Sequence, residues 1–186
     1  MELRTDFTRM DQSSREQWMT IGRATMELQT EVPEYMLRML QSMDQLYAGF
    51  GVSQLHHALQ TASMAKRDNA ADDVILGALC HDVGKLISVP NHAAIAAEML
   101  KPYVSEPVYH VLRTHQEFQG RHYFPYFGMS GTLREQYRNE PWYALAEQFT
   151  DQWDQAAFDP SYPVLPLEEF APLVRTLMGR FPMGQK

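Results

Sequence analysis

The sequence predicts an all-α protein built as one domain. Three observations carry that expectation. Apolar residues recur three and four apart along most of the chain, helix-opening and helix-closing residues punctuate it, and no stretch alternates apolar and polar for the length of a strand. At 186 residues, 45% of them hydrophobic and 21% charged, the chain suits a single globular domain with a proper core. The domain is expected to span 1–186, with its core over about 34–180 and a helical N-terminal extension over 1–33.

Taken in order, Ser13 and Ser14, each followed three residues later by Glu16 or Gln17, are capping boxes for a helix expected to end before Pro33. Met36, Leu37, Leu40, Met43 and Tyr47 give a second helix, Glu34 to Ala48, that Gly49 and Gly51 break. Ser53 caps a helix running to about Arg67, with Leu55, Leu59 and Ala62 apolar, and Asp72 or Asp73 starts the next after a polar loop. Asn91 caps a short Ala-rich helix, His92 to Leu100, closed by Pro102. Ser105 and Pro107 open another, to about Glu117. Gly120 to Gly131 reads as an ordered aromatic loop. Thr132 to Arg138 and Pro141 to Ala157 read as helices, Asp159 to Pro166 as an extended crossing, and Leu167 to Arg180 as a last helix. That makes eight or nine helices.

A formal charge of −7 argues against a nucleic-acid or anionic-membrane binder, although bound cations would reverse the potential inside a local pocket. The one cysteine, Cys80, excludes an intrachain disulfide and a Cys-rich zinc site, and its apolar setting suits a buried, inert thiol. The opening Met-Glu-Leu-Arg-Thr-Asp has no signal-peptide core and no segment approaches a membrane span, so a cytoplasmic protein is expected. Its oligomeric state is not legible.

The chemistry centres on Val74 to Leu86. There an apolar run ends on His81 and Asp82, with Gly84 two residues later. Burying an imidazole and a carboxylate without partners costs several kcal/mol. A divalent metal satisfies both, because the carboxylate can bridge two ions; a helix C-terminus with His81 in the cap and Gly84 as the stop is the other reading. All seven histidines fall between positions 56 and 122 of the chain. His57 lies one helix before His81, His92 opens the helix after it, and His115 lies near the end of the next. Bundles build metal sites from such facing helices. Four imidazoles and one carboxylate are too many for one zinc with an open position and suit two octahedral ions. His56 and His110 read as non-ligands.

The order His57, His81-Asp82 and a later aspartate resembles the HD-domain superfamily of metal-dependent phosphohydrolases, and His92 and His115 resemble its binuclear branch. The text Gln54-Leu55-His56-His57-Ala58-Leu59-Gln60, Ala78-Leu79-Cys80-His81-Asp82-Val83-Gly84, Asn91-His92-Ala93, Thr114-His115-Gln116 and Gln152-Trp153-Asp154-Gln155 is similar to the HD-type mixed-valent di-iron oxygenases. These are the organophosphonate-cleaving, PhnZ/TmpB-like enzymes related to myo-inositol oxygenase. The resemblance implies two Fe ions, Fe(II)/Fe(III), one on His57, His81, Asp82 and Asp154, the other on His92, His115 and Asp82. Spacing alone leaves Asp151 as good a candidate as Asp154; the Trp-Asp-Gln likeness favours Asp154.

By the same resemblance the substrates are O2 and a small α-hydroxyphosphonate, whose C–P bond is cleaved to phosphate and a carboxylate. The alternative is a binuclear phosphohydrolase using Mn or Mg on a phosphomonoester or nucleotide. Lys85, in His-Asp-x-Gly-Lys, is placed to reach a phosphoryl oxygen and is the candidate catalytic side chain. Gln119 falls where PhnZ-like enzymes bind phosphonate, and Asp151 replaces an arginine there, so Arg121, His122 and Arg134 are candidate replacement cations. Tyr123, Tyr126 and Trp153 are candidates for holding a trimethylammonium group on aromatic faces, with an aromatic plug of the bundle as the other reading.

Overall fold

The computed structural model describes residues 4–180; the first three residues of the opening read for a signal peptide lie outside it. Among the described residues there is no strand, and seven α-helices surround one core: α1 Arg15–Ser42, α2 Gln54–Arg67, α3 Asp72–Cys80, α4 His92–Leu100, α5 Glu106–Gln119, α6 Tyr143–Gln148 and α7 Leu167–Met178. Short 3-10 turns join them. No described helix is long and apolar enough to cross a membrane.

Two of the expected caps form side-chain bonds; Asn91 and Ser105 stand at the N-caps of α4 and α5 without one, and Ala71, not Asp72 or Asp73, is the N-cap of α3. Ser14 Oγ accepts from Gln17 N while the Gln17 side chain accepts from Ser14 N, a reciprocal box. Ser53 Oγ accepts from His56 N and so starts α2.

Pro33 does not end a helix: α1 runs straight through it for 28 residues. Proline removes one backbone bond there, and neighbours on both sides hold the helix together. Gln29 Nε2 donates to the Tyr103 hydroxyl at 2.8 Å and to the Met178 carbonyl at 3.3 Å. Glu34 pairs with Arg175 of α7 at 2.6 Å, and the buried Pro33 ring packs 3.8 Å from where a β-carbon on Gly179 would stand. The second helix expected to reach Ala48 is therefore the end of α1. It stops at Ser42, tightens into the 3-10 turn Met43–Gln45, and reverses where Ala48 and Gly49 take positive φ.

Two further expectations change. Thr132 to Arg138 is a 3-10 turn, Leu133–Tyr137, and Pro141 to Ala157 is α6 followed by a π-helical stretch, Phe149–Asp154. Seven α-helices thus replace the expected eight or nine.

The core runs from Leu37, Leu40 and Met43 of α1 through Leu76 and Leu79 of α3, Leu112 and Phe118 of α5, and Phe149 and Trp153 of the π stretch, to Phe170 and Val174 of α7. Helix α2 packs on α3 and α4 packs on α5, and the π stretch lies against both α2 and α5. These pairings bring the inner faces of five segments together around the end of α3.

Candidate metal centre

Each of the four central histidines is oriented by its own backbone surroundings. Nδ1 of His57 donates to the Ala157 carbonyl at 2.9 Å, and Nδ1 of His81 to Ala78 at 2.9 Å. Nδ1 of His92 donates to Val89 at 2.7 Å, and Nδ1 of His115 to Leu112 at 2.7 Å. A carbonyl only accepts, so the proton of each neutral ring sits on Nδ1 and the Nε2 lone pair is left facing inward. Three of the four carbonyls lie three residues before the histidine, a reach the local helical turn supplies.

The lone pairs meet in two groups. His57 Nε2 lies 3.1 Å from His81 Nε2, and His92 Nε2 lies 3.3 Å from His115 Nε2. Neutral imidazoles do not place lone pairs this close unless a positive charge lies between them. Ligand atoms about 2.1 Å from one metal and at right angles to each other stand about 3.0 Å apart, which is the spacing found.

Asp82, at the turn after α3, faces both groups. Its Oδ2 is 3.5 Å from His57 Nε2 and 3.5 Å from His81 Nε2. Its Oδ1 is 3.2 Å from His92 Nε2 and 3.6 Å from His115 Nε2. Asp154 Oδ1 completes the first group at 3.2 Å from His57 Nε2 and 3.4 Å from His81 Nε2. All six residues are buried, yet Asp82 Oδ1 and Asp154 Oδ2 have no hydrogen-bond donor. Buried carboxylate oxygens facing lone pairs fit a cation, and the sets His57–His81–Asp154 and His81–Asp82–His115 could each hold a metal ion.

The groups of the pocket also balance one another's charge. Burial pushes the His81 imidazole down, but the charges of Asp82 and Asp154 outweigh it and hold its pKa at about 9. Burial pushes both carboxyls up; the His81 charge, helped by Lys85 at Asp82 and by His57 at Asp154, holds each well below the ordinary range. Burial lowers His115. Cys80, wholly buried beside the centre, is pushed up to about 12 and stays a thiol.

Around this centre the candidate residues separate. Lys85 Nζ donates to Asp82 Oδ2 at 2.5 Å and to Gln54 Oε1 at 2.7 Å. Gln119 Nε2 donates to Asp154 Oδ1 at 3.0 Å. Tyr123 is half-buried, and its hydroxyl, raised by burial, stays protonated. Asp151 is taken up by the loop that follows α5, accepting from Arg134 and Arg121, with His122 Nε2 at 3.8 Å.

Three candidates need correcting. Arg134 is buried and already paired with Asp151 and Glu147, so it is not a free cation for a substrate. Trp153 is a core side chain, 1% exposed, whose Nε1 donates to Asp68 at 2.8 Å. Tyr126 stands in solvent, 86% exposed. The aromatic faces at the centre are instead Phe158, stacked on His57 at 4.4 Å, and Phe50, stacked on Phe158 at 4.9 Å. No periodicity marks these two; Phe50 sits in a turn and Phe158 beyond a helix end.

Fold and site together define an all-α protein with a buried histidine–aspartate cluster suited to metal. No protein-family model matches the chain. It is similar to a protein named hydroxymethylphosphonate dioxygenase from Gimesia maris, 29% identical over 90 residues, covering 40% of this chain and 45% of that protein. The match thus spans about half of the relative's length.

Proposed function

We propose that the chain is a di-iron oxygenase that uses O2 to cleave the C–P bond of a small α-hydroxyphosphonate, releasing phosphate and a carboxylate. The observation that carries this is Asp82, one carboxylate with a separate pair of histidine lone pairs at each oxygen. That arrangement suits two metals sharing a bridge, and the partial likeness to a hydroxymethylphosphonate dioxygenase supplies the reaction class. His57, His81 and Asp154 would hold one iron, His92 and His115 the other, and Asp82 both. A bound iron pair supplies redox chemistry with O2 and a Lewis-acid grip on the substrate's oxygens.

The chain's own groups do the rest. Lys85 carries its positive charge to the edge of the pocket and is the nearest donor for a phosphonate oxygen, held there by Gln54 and Asp82. Gln119 holds the rotamer of Asp154 by donating to Oδ1, the oxygen that faces His57 and His81. The protonated Tyr123 hydroxyl is a neutral donor on the α5 side of the pocket. Phe158 seals His57 from water by stacking on its face.

The test is phosphate release from hydroxymethylphosphonate by iron-reconstituted protein, with and without O2. The oxygenase reading expects phosphate in air and none under argon. Phosphate released under argon from a phosphomonoester, with Mn or Mg in place of iron, is the result a phosphohydrolase would give and would overturn it.

A further inference from the structure

The loop after α5 reaches the π stretch through a buried guanidinium. Arg134, on the 3-10 turn Leu133–Tyr137, is 7% exposed. Its Nη1 donates to both carboxylate oxygens of Asp151, at 3.1 and 3.0 Å, and its Nη2 donates to Glu147 Oε1 at 3.1 Å. Glu147 belongs to α6 and Asp151 to the π stretch four residues on, so the guanidinium straddles the point where the helix changes register. A planar fork with fixed donors suits that clamp, and a lysine's single ammonium would grip it less well.

Register matters here because π turns carry an extra residue. Gln155 N donates to Thr150 O at 3.0 Å, a bond closed over five residues instead of four. Such turns are rare in isolation and need outside restraint. Relaxing this one to ordinary α geometry would move everything beyond it by one residue, about 100° around the axis. Asp154 ends the stretch, three residues after Asp151, and its Oδ1 now points at His57 and His81. His92 and His115 come from α4 and α5 and do not depend on that register.

We propose that Arg134 is a positioning residue: by bridging Glu147 and Asp151 it holds the π register that aims Asp154 at the subsite of His57 and His81, and it leaves the subsite of His92 and His115 untouched. The inference rests on the binuclear reading above. It also accounts for a buried arginine that substrate binding does not.

The test is titration of the metal-free protein with Mn2+ alone, by calorimetry and electron paramagnetic resonance, for wild type, Arg134→Met, Arg134→Lys and Asp151→Asn. The expected result is two Mn2+ on wild type with a spin-coupled signal. In Arg134→Met one of the two sites weakens roughly 10–100-fold, the usual range when support behind a ligand is lost, and an isolated-ion signal replaces the coupled one. Arg134→Lys recovers part of the affinity. Should Arg134→Met fail to fold, Asp151→Asn, whose side chain is partly exposed, is expected to show the same one-site weakening. Wild-type affinity at both sites in the folded variants, or equal loss at both, overturns the proposal. A wild type that binds fewer than two Mn2+ overturns the binuclear reading and this inference with it.

Discussion

At the scale of single residues, the centre works because four backbone carbonyls choose the imidazole tautomers before any ligand arrives. In their neutral forms His57, His81, His92 and His115 each turn Nε2 inward as the acceptor, and Asp82 offers one oxygen to each pair. Two outcomes follow. Substituting His57→Ala or His92→Ala is expected to remove one bound metal each, whereas Asp82→Ala removes or weakens both, as elemental analysis after dialysis would show; an Asp82 variant keeping one metal at full affinity would contradict the bridge. The second outcome concerns pH. In the metal-free protein the His81 pKa is raised from 6.5 to about 9, so its contribution to stability is complete below pH 6.5 and is lost as pH rises through about 9. The melting temperature of the metal-free protein is expected to fall between those pH values. The loaded protein, in which a metal takes the place of that proton, is expected to show no such fall. In the sequence His81-Asp82 reads equally as a helix cap, the clustering of the other histidines singles out His57, His92 and His115, and only the family resemblance favours Asp154 over Asp151; the structure brings the six side chains together. Phe50 and the contacts of Phe158 and Gln54 were not legible, because a ring stacked on an imidazole or an amide behind a lysine leaves no trace in spacing.

At the scale of elements, short segments set the ligands' aim. In the sequence Gly84 reads as a helix stop; in the structure its missing side chain makes room for α4. A β-carbon there would stand 2.3 Å from the His92 carbonyl oxygen and 2.8 Å from its Cα, both backbone atoms that cannot step aside. Gly84→Ala is therefore expected to push α4 outward, costing about 1–3 kcal/mol or more and weakening metal binding at His92 and His115 before the other subsite. Denaturant unfolding and metal titration would check both, and an alanine variant with wild-type stability would contradict the packing. The helices that sequence misjudged show where local rules yield. Pro33 and Gly49 are breakers by propensity, yet Tyr103, Met178 and Arg175 hold α1 through the first, and a 3-10 turn ends it before the second. The π stretch had no signal in periodicity, and its contacts are with residues distant in sequence: Asp68 at Trp153 and Arg134 at Asp151 within it, and the His57 ring at Ala157 just beyond it.

At the scale of the molecule, the six clustered histidines and aspartates come from α2, the end of α3, α4, α5 and the π stretch, so a bound metal pair would tie five segments that the core alone holds together. All-α architecture followed from periodicity, and the relative placement of those segments followed from short connections, but the pairing of Asp82 with both histidine groups needed coordinates. Metal that binds only the folded chain stabilises it by about 2.7 kcal/mol per site at a hundredfold excess over Kd. For a chain of this size that corresponds to about 5–10 °C in melting temperature, so chelation is expected to lower the midpoint by at least that much. A midpoint unmoved by chelator would mean the cluster holds no metal. The most direct measurement is anomalous diffraction from crystals of the iron-loaded protein. The account predicts two peaks about 3.5–4 Å apart, one beside His57, His81 and Asp154, the other beside His92 and His115, with Asp82 between them. A single peak, or density that leaves His92 and His115 without a metal, would contradict it.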